Sequence, residues 1–150
     1  MYGTLSKEQS EDVLRTELVG RIGCYAFGKV YVVPVAYAYH QNYIYVHSRE
    51  GLKIKMMRKN PKVCFEVESK ENMTNWRTII IQGRYQELKT LSEQNKAMKI
   101  ISDRLLPFQV SEAVKPAGLK DAPLKVEKEL KPIFYRISVD EISGKYEKGN

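Results

Sequence analysis

Apolar residues along this chain recur first at helical spacing and then at strand spacing. In the opening segment, SKEQSEDVLRTEL, Val13, Leu14 and Leu18 fall on one side of a 3.6-residue period. Ser6 is placed to cap that helix, Gln9 three residues on completes a capping box, and Gly20 is the expected stop. Strand patterns then follow in quick succession: Ile22 to Phe27, a tight turn at Gly28-Lys29, Val30 to Tyr39, a polar turn at His40-Gln41-Asn42, and Tyr43 to His47. Turns of two or three residues between them imply an antiparallel meander. The period changes again in REGLKIKMMRKN. There a short helix is expected, with Ser48 as its cap and Asn60-Pro61 as its stop. Lys62 to Ser69 reads as a strand, KENMTN as a polar loop, and Trp76 to Leu88 as a long strand made deep by Ile79-Ile80-Ile81. A helix is expected from about Ser92 to Leu106, with Ala97, Ile100, Ile101 and Leu105 on one side. The stretch from Pro107 to Pro132 holds four prolines and is the least patterned; Leu124 to Leu130 suits one or two helical turns. Ile133 to Val139 gives a last strand, and GKYEKGN reads as a loose tail. Six strands with peripheral helices make a mainly β chain: one domain over 1–150, a small antiparallel barrel whose closure hides the sheet edges.

Composition narrows the class. With 43% hydrophobic and 29% charged residues the balance is that of a globular domain, which excludes intrinsic disorder. No apolar run approaches the roughly 20 residues needed to span a bilayer. The start, MYGTLSKEQSED, lacks a basic segment followed by an apolar one, so a cytoplasmic location is expected, with no secretory leader. Cys24 and Cys64 lie in apolar strand segments without a CxxC pair, which predicts two buried free thiols and no metal site. The net charge of +7 favours anionic partners, and does not separate nucleic acid from a phosphorylated cofactor.

The densest chemistry lies in PVAYAYHQNYIYVHSREGLKIKMMRKNPKV, from Pro34 to Val63. A strand ends at Ser48 and a helix begins whose first turn contains Gly51 and Lys53. Free backbone N–H groups at a helix start favour an anion, and glycine lets it approach. Lys55, Arg58 and Lys59 add positive charge on the same helix. Those residues fit a phosphate seat, and equally a solvated basic face.

This stretch, followed by WRTIIIQGR from Trp76 to Arg84, resembles the pyridoxamine 5′-phosphate oxidase-like FMN-binding split barrels. It is most similar to their short branch, the nitroimidazole-resistance and related flavin-nucleotide-binding proteins. The order carries the resemblance: a proline-initiated strand, an HS pair, a GxK helix start, NPKV, then W-x-T-x-x-x-x-G-R. What it implies is a six-stranded split barrel that binds FMN at the interface of a homodimer, some contacts coming from the partner subunit. Pro34, Val35, Ala36 and Tyr37 would then pack along the flavin. His47 would lie beside the ring or its side chain. Ser48 would reach the phosphate end and Lys53 would contact the phosphate. Thr78 would face the flavin chain, and Trp76 would stack near it, or else pack in the core or at the dimer interface. Longer members of the family end in a substrate-binding segment with arginine and histidine; YEKGN has neither, so the resemblance does not extend to pyridoxine chemistry.

Each of these residues also has a plainer role open to it: Lys53 as an exposed helix lysine, His47 as a surface histidine, Thr78 as an ordinary β-former. His40 reads as a solvent-facing turn residue. The six tyrosines in or near the first three strands suit either an aromatic pocket or packing. No Ser-His-Asp constellation is readable, which agrees with a cofactor carrying the chemistry.

Three functions therefore compete. One is an FMN-dependent oxidoreductase reducing a small nitro- or quinone-like substrate, with NAD(P)H as a transient donor. Another is a flavin carrier, sensor or scavenger without turnover; F420 or heme (with His47 or His40 as ligand) are lesser cofactor variants. The last is single-stranded nucleic-acid binding through basic and aromatic residues. The spread of basic residues along the chain counts against it.

Overall fold

The computed structural model describes residues 1–109 and 131–149. The chain order is β1 (Tyr2–Thr4), α1 (Lys7–Thr16), β2 (Val19–Ala26), β3 (Lys29–Ala36), β4 (Ala38–His40), β5 (Tyr43–Ser48), α2 (Leu52–Lys59), β6 (Lys62–Asn72), β7 (Asn75–Leu88), α3 (Leu91–Gln109), β8 (Ile133–Ser138) and β9 (Glu141–Lys148).

Local chemistry accounts for most boundaries. The Ser6 hydroxyl accepts from the Gln9 N–H and the Gln9 side chain accepts from the Ser6 N–H, so α1 begins with a full capping box. The helix ends at Thr16, not at Gly20. Gly20 lies in β2, where the Phe65 ring occupies the space a Cβ would need. Phe27-Gly28 and Gln41-Asn42 close two hairpins with positive φ at both residues, the arrangement of a two-residue type I′ loop. The first turn therefore falls one residue before the expected Gly28-Lys29. KENMTN contributes most of its length to strands. Only Met73-Thr74 turns, with Asn72 Oδ1 accepting from the Thr74 N–H, the Thr74 hydroxyl and the Asn75 amide. α3 starts one residue early, behind a reciprocal Thr90–Glu93 cap.

All strand pairs are antiparallel, in the order β3-β2-β6-β7-β8-β5-β4. β3 and β4, the two ends of that order, are one stretch of chain interrupted at Tyr37, so the sheet closes on itself. β7 belongs to two sheets: Asn75 to Gln82 pair with β9, and Tyr85 to Leu88 pair with β8. This is an antiparallel split barrel with few helices, as expected. It has nine strands among the described residues, not six. The predicted third run is broken at Tyr37 into β3 and β4, and β1 and β9 were unforeseen. The expected tail forms most of β9, with Gly144 and Tyr146 opposite Ile79 and Arg77, and Ile142 just before it opposite Ile81. Expected helical turns at Leu124 to Leu130 lie outside the described residues.

The main core fills the barrel: Ile22, Phe65, Val67, Ile79, Ile81, Tyr135 and Ile137 are fully buried, with Val13 and Leu14 of α1 plugging one end. A second cluster forms where Ala97, Ile101 and Leu105 of α3 cover Tyr45, Leu88 and Phe134. Cys24 is buried; Cys64 is only half-buried, on the opposite face of the sheet, and both are free. None of the described helices is long and apolar enough to cross a membrane.

Candidate functional site

β5 delivers His47 and Ser48 to the point where the chain turns into α2. Along β5, Ile44 and Val46 point into the barrel while Tyr43, Tyr45 and His47 take the other face. His47 is exposed and stacks on Phe134, ring centroids 6.0 Å apart. The chain then rounds Arg49, Glu50 and Gly51, and α2 begins at Leu52. Its N-cap is Gly51, extended at φ −177° with no side-chain cap; Ser48 was expected to do this, but its hydroxyl donates to the Arg49 carbonyl at 3.1 Å. Nothing lies within 4 Å of where a Gly51 Cβ would stand, so the helix start is open to solvent. Ile54, Met56 and Met57 seat α2 on the core, which leaves Lys53 at the rim.

These elements enclose a cavity of about 620 Å³, within the ~300–1,000 Å³ of small-molecule sites. Tyr31, Val33, His47 to Lys53 and Pro132 line it. Among the described residues β3 pairs only with β2, so the other edge of its backbone beside the cavity has no strand partner there. Burial pushes the Lys53 ammonium pKa down, and Lys53 forms no ion pair with a described residue. A half-buried cation with no counter-ion among the described residues, beside the N–H groups of a helix start, is a seat for an anion.

Glu50, on the same wall, is engaged elsewhere. Arg58 Nη1 donates to both of its carboxylate oxygens at 2.7 and 2.9 Å, while Arg58 Nε and Nη2 donate to Glu87 at 2.7 and 3.1 Å. The Tyr85 hydroxyl also donates to Glu87, at 2.8 Å. Arg58's hydrogen bonds hold the Glu87 carboxyl below the usual carboxylate range.

His47, Ser48 and Lys53 are thus brought together. The other expected positions are not. Pro34 and Ala36 face outward on β3, while Val35 packs against the core. Tyr37 is fully buried and its hydroxyl donates to the Leu14 carbonyl at 2.8 Å, so burial raises its pKa. Trp76 and Thr78 sit on the outer face of β7. Trp76 Nε1 donates to Glu147, and Thr78 donates to Glu66, which also pairs with Arg21. Val33, Arg49, Glu50, Leu52 and Pro132 line the cavity without having been singled out, and Tyr31 lines it as one of the six tyrosines read as suiting an aromatic pocket or packing. For Tyr31 and Val33 a signal existed: strand alternation puts 31, 33 and 35 on one face, whereas the contiguous run 34–37 cannot share one.

The outer face of β2 and β3 is unusually apolar for a sheet surface. Val19, Tyr25, Val30 and Val32 are at least half exposed there, and Ile80 of β7 lies on the same face.

Known proteins resemble this chain over nearly its whole length. Residues 6–146 match the family described as pyridoxamine 5′-phosphate oxidase. An uncharacterized protein of Rhizobium meliloti (strain 1021) is 28% identical over 145 residues, covering 94% of this chain and 92% of that one. Among solved structures, an FAD-binding protein from Mesorhizobium loti superposes with a TM-score of 0.75 at 31% identity, covering 97% and 98% of the two chains. A candidate 5-nitroimidazole antibiotic resistance protein from Bacteroides thetaiotaomicron shares the fold at a TM-score of 0.71 and 19% identity, covering 97% and 87%.

Proposed function

Because this chain belongs to the pyridoxamine 5′-phosphate oxidase family, we propose that it binds a flavin nucleotide, FMN, with the phosphate seated at Ser48, Gly51 and Lys53. It acts in this reading as a cytoplasmic oxidoreductase on a small nitro- or quinone-like acceptor. The observation that carries it is Lys53, a half-buried cation with no counter-ion among the described residues, on the wall of a cavity of ligand size. A phosphate would restore to that ammonium the favourable interactions that burial removes. The residues fit the group: a helix start supplies N–H donors, Ser48 a hydroxyl, and the open edge of β3 a surface for the flavin's length.

When bound, the flavin supplies the redox chemistry. The protein binds and orients it. Ser48, Lys53 and the first N–H groups of α2 would hold the phosphate, Tyr31 and Val33 would give an apolar wall, and His47, which lines the same cavity, would offer the flavin a hydrogen bond. NAD(P)H is the transient electron donor in this reading.

The active form in this reading is a homodimer. Two copies meeting through the exposed apolar face of β2 and β3 would remove Val19, Val30 and Val32 from water. Trp76, Thr78, Pro34 and Ala36, which point away from the cavity of their own protomer, would then be available to the partner's flavin.

The test is the visible absorbance spectrum of the purified protein, followed by FMN titration of the ligand-free fraction and of Lys53→Ala. Flavin bands, or micromolar-or-tighter binding lost in Lys53→Ala, support the reading. A colourless protein indifferent to FMN sinks it. Oxidation of NAD(P)H in the presence of a nitro or quinone acceptor then separates an oxidoreductase from a flavin carrier or sensor. A second reading, FAD, is favoured by the 31% identical FAD-binding protein of Mesorhizobium loti; the mass of the flavin released on denaturation decides between them.

A further inference from the structure

We propose that Arg58 is a positioning residue of the anion seat: by holding the Glu50 carboxylate, it leaves Lys53 free to meet a phosphate rather than an acid of its own chain. The proposal rests on the reading that this cavity receives the phosphate end of a flavin.

Glu50 and Lys53 flank the start of α2, three residues apart, and line one cavity. Glu50 lies just outside the helix, before the extended Gly51, so what draws the two together is that opposite charges on long side chains line the same cavity. A Glu50–Lys53 pair would cancel the charge of the seat, and its carboxylate would repel an incoming phosphate. The structure shows Glu50 turned to Arg58 instead, with both oxygens accepting from Nη1 at 2.7 and 2.9 Å.

Arg58 is held in place by an anchor of its own. Its Nε and Nη2 bind the two oxygens of Glu87 on β7, and that carboxylate is fixed in turn by the Tyr85 hydroxyl. The planar guanidinium makes this possible. One edge takes Glu87 in a forked pair while the remaining nitrogen is aimed at Glu50. A lysine, with a single point of charge, could not bridge both carboxylates in fixed directions. Arg58 therefore ties three separate pieces of chain: the loop before α2, the last turn of α2, and the end of β7. As partly exposed ion pairs these contacts add at most about 1 kcal/mol to global stability. Their consequence is local, in which partner Glu50 takes.

Four proteins test this: wild type, Arg58→Ala, Glu50→Gln and the double variant. Each is titrated with FMN by fluorescence. In the ligand-free state, the ammonium titration of Lys53 is followed by NMR of 13C-dimethylated lysines. Arg58→Ala is expected to weaken FMN binding about tenfold, the scale of one charge-assisted hydrogen bond, and to raise the Lys53 pKa as Glu50 turns to it. Glu50→Gln binds at least as tightly as wild type. The double variant returns to within about twofold of wild type in affinity, with Lys53 titrating as in wild type. Rescue by removing a charge is the signature that a merely structural arginine would not give.

A loss in Arg58→Ala that persists in the double variant overturns the proposal, as does a Lys53 titration unmoved by Arg58→Ala. If no variant binds FMN, the flavin reading fails by itself, and the lysine titration still decides whether Arg58 keeps Glu50 from Lys53.

Discussion

Gly83→Ala places one methyl group at the point where β7 leaves one sheet for the other. Pairing with β9 ends at Gln82 and pairing with β8 begins at Tyr85, so the β8–β9 connection crosses the strand beside Gly83. A Cβ there would stand 1.8 Å from the Ser138 carbonyl oxygen and 3.0 Å from Ile137 Cγ2. The obstacle is backbone, so it cannot swing aside as a side-chain tip would. Ser138 must retreat to beyond 3.0 Å, and two hydrogen bonds lie in the path of that movement. These are the Arg84 N–H to Ser138 Oγ at 3.1 Å and the Asp140 N–H to the Gln82 carbonyl at 3.0 Å. Overpacking of this kind costs ~1–3 kcal/mol, and each hydrogen bond lost or stretched adds ~1 kcal/mol. Alanine's smaller loss of backbone entropy returns ~0.5–1 kcal/mol. The net expectation is a loss of about 2–4 kcal/mol, or a fall in Tm of about 5–15 °C at ~2–4 °C per kcal/mol for a chain of this length. Thermal melts followed by circular dichroism, checked by urea unfolding, measure it. A melting point within 2 °C of wild type would refute the claim that one bare backbone position lets β7 serve two sheets.

Phe65→Ala should lose ~3–5 kcal/mol by urea unfolding, since Phe65 is fully buried with its ring edge-on to Tyr37 at 5.2 Å. Val32→Glu puts a charge in the exposed apolar face; light scattering should find a monomer whose melting point, measured at equal dilution, differs little from that of dissociated wild type. A persistent dimer would move the interface elsewhere. FMN affinity should fall with rising pH, and earlier than an ordinary lysine of pKa about 10.4 would cause. Burial lowers the ligand-free Lys53 pKa while a bound phosphate favours its charged form, so above the lowered value binding must take up a proton; Lys53→Met should flatten that dependence. Glu87's carboxyl is held low by Arg58, so its contribution to stability is complete above the ordinary glutamate pKa of about 4.3. It is lost as pH falls through the lower folded value. Glu87→Gln should therefore flatten unfolding free energy against pH below about 4.3, and an unchanged slope would count against the Arg58 clamp.

What the sequence determined by itself is what neighbours along the chain decide. The Ser6–Gln9 capping box, the alternation through β5 and the first part of β3, and the long run of β7 depend on contacts within a few residues, and the antiparallel barrel follows from short turns between such strands. The HS pair and the GxK helix start were legible for the same reason: His47, Ser48 and Lys53 lie within seven residues, so once strand and helix form they converge on one cavity. The tertiary structure decided the rest. GKYEKGN carries too few apolar residues to read as a strand, yet Gly144 to Lys148 complete β9 because β7 offers those five residues backbone partners and Tyr146 packs against the core beside Ile142. The run Val30 to Tyr39 breaks at Tyr37 because the two ends of the sheet must join there, which draws that side chain inward to the Leu14 carbonyl. Glu50, Arg58 and Glu87, separated by 8 and 29 residues, become one network through the packing of α2 beside β7. Pairing of that reach is set by register and closure, which local pattern does not encode.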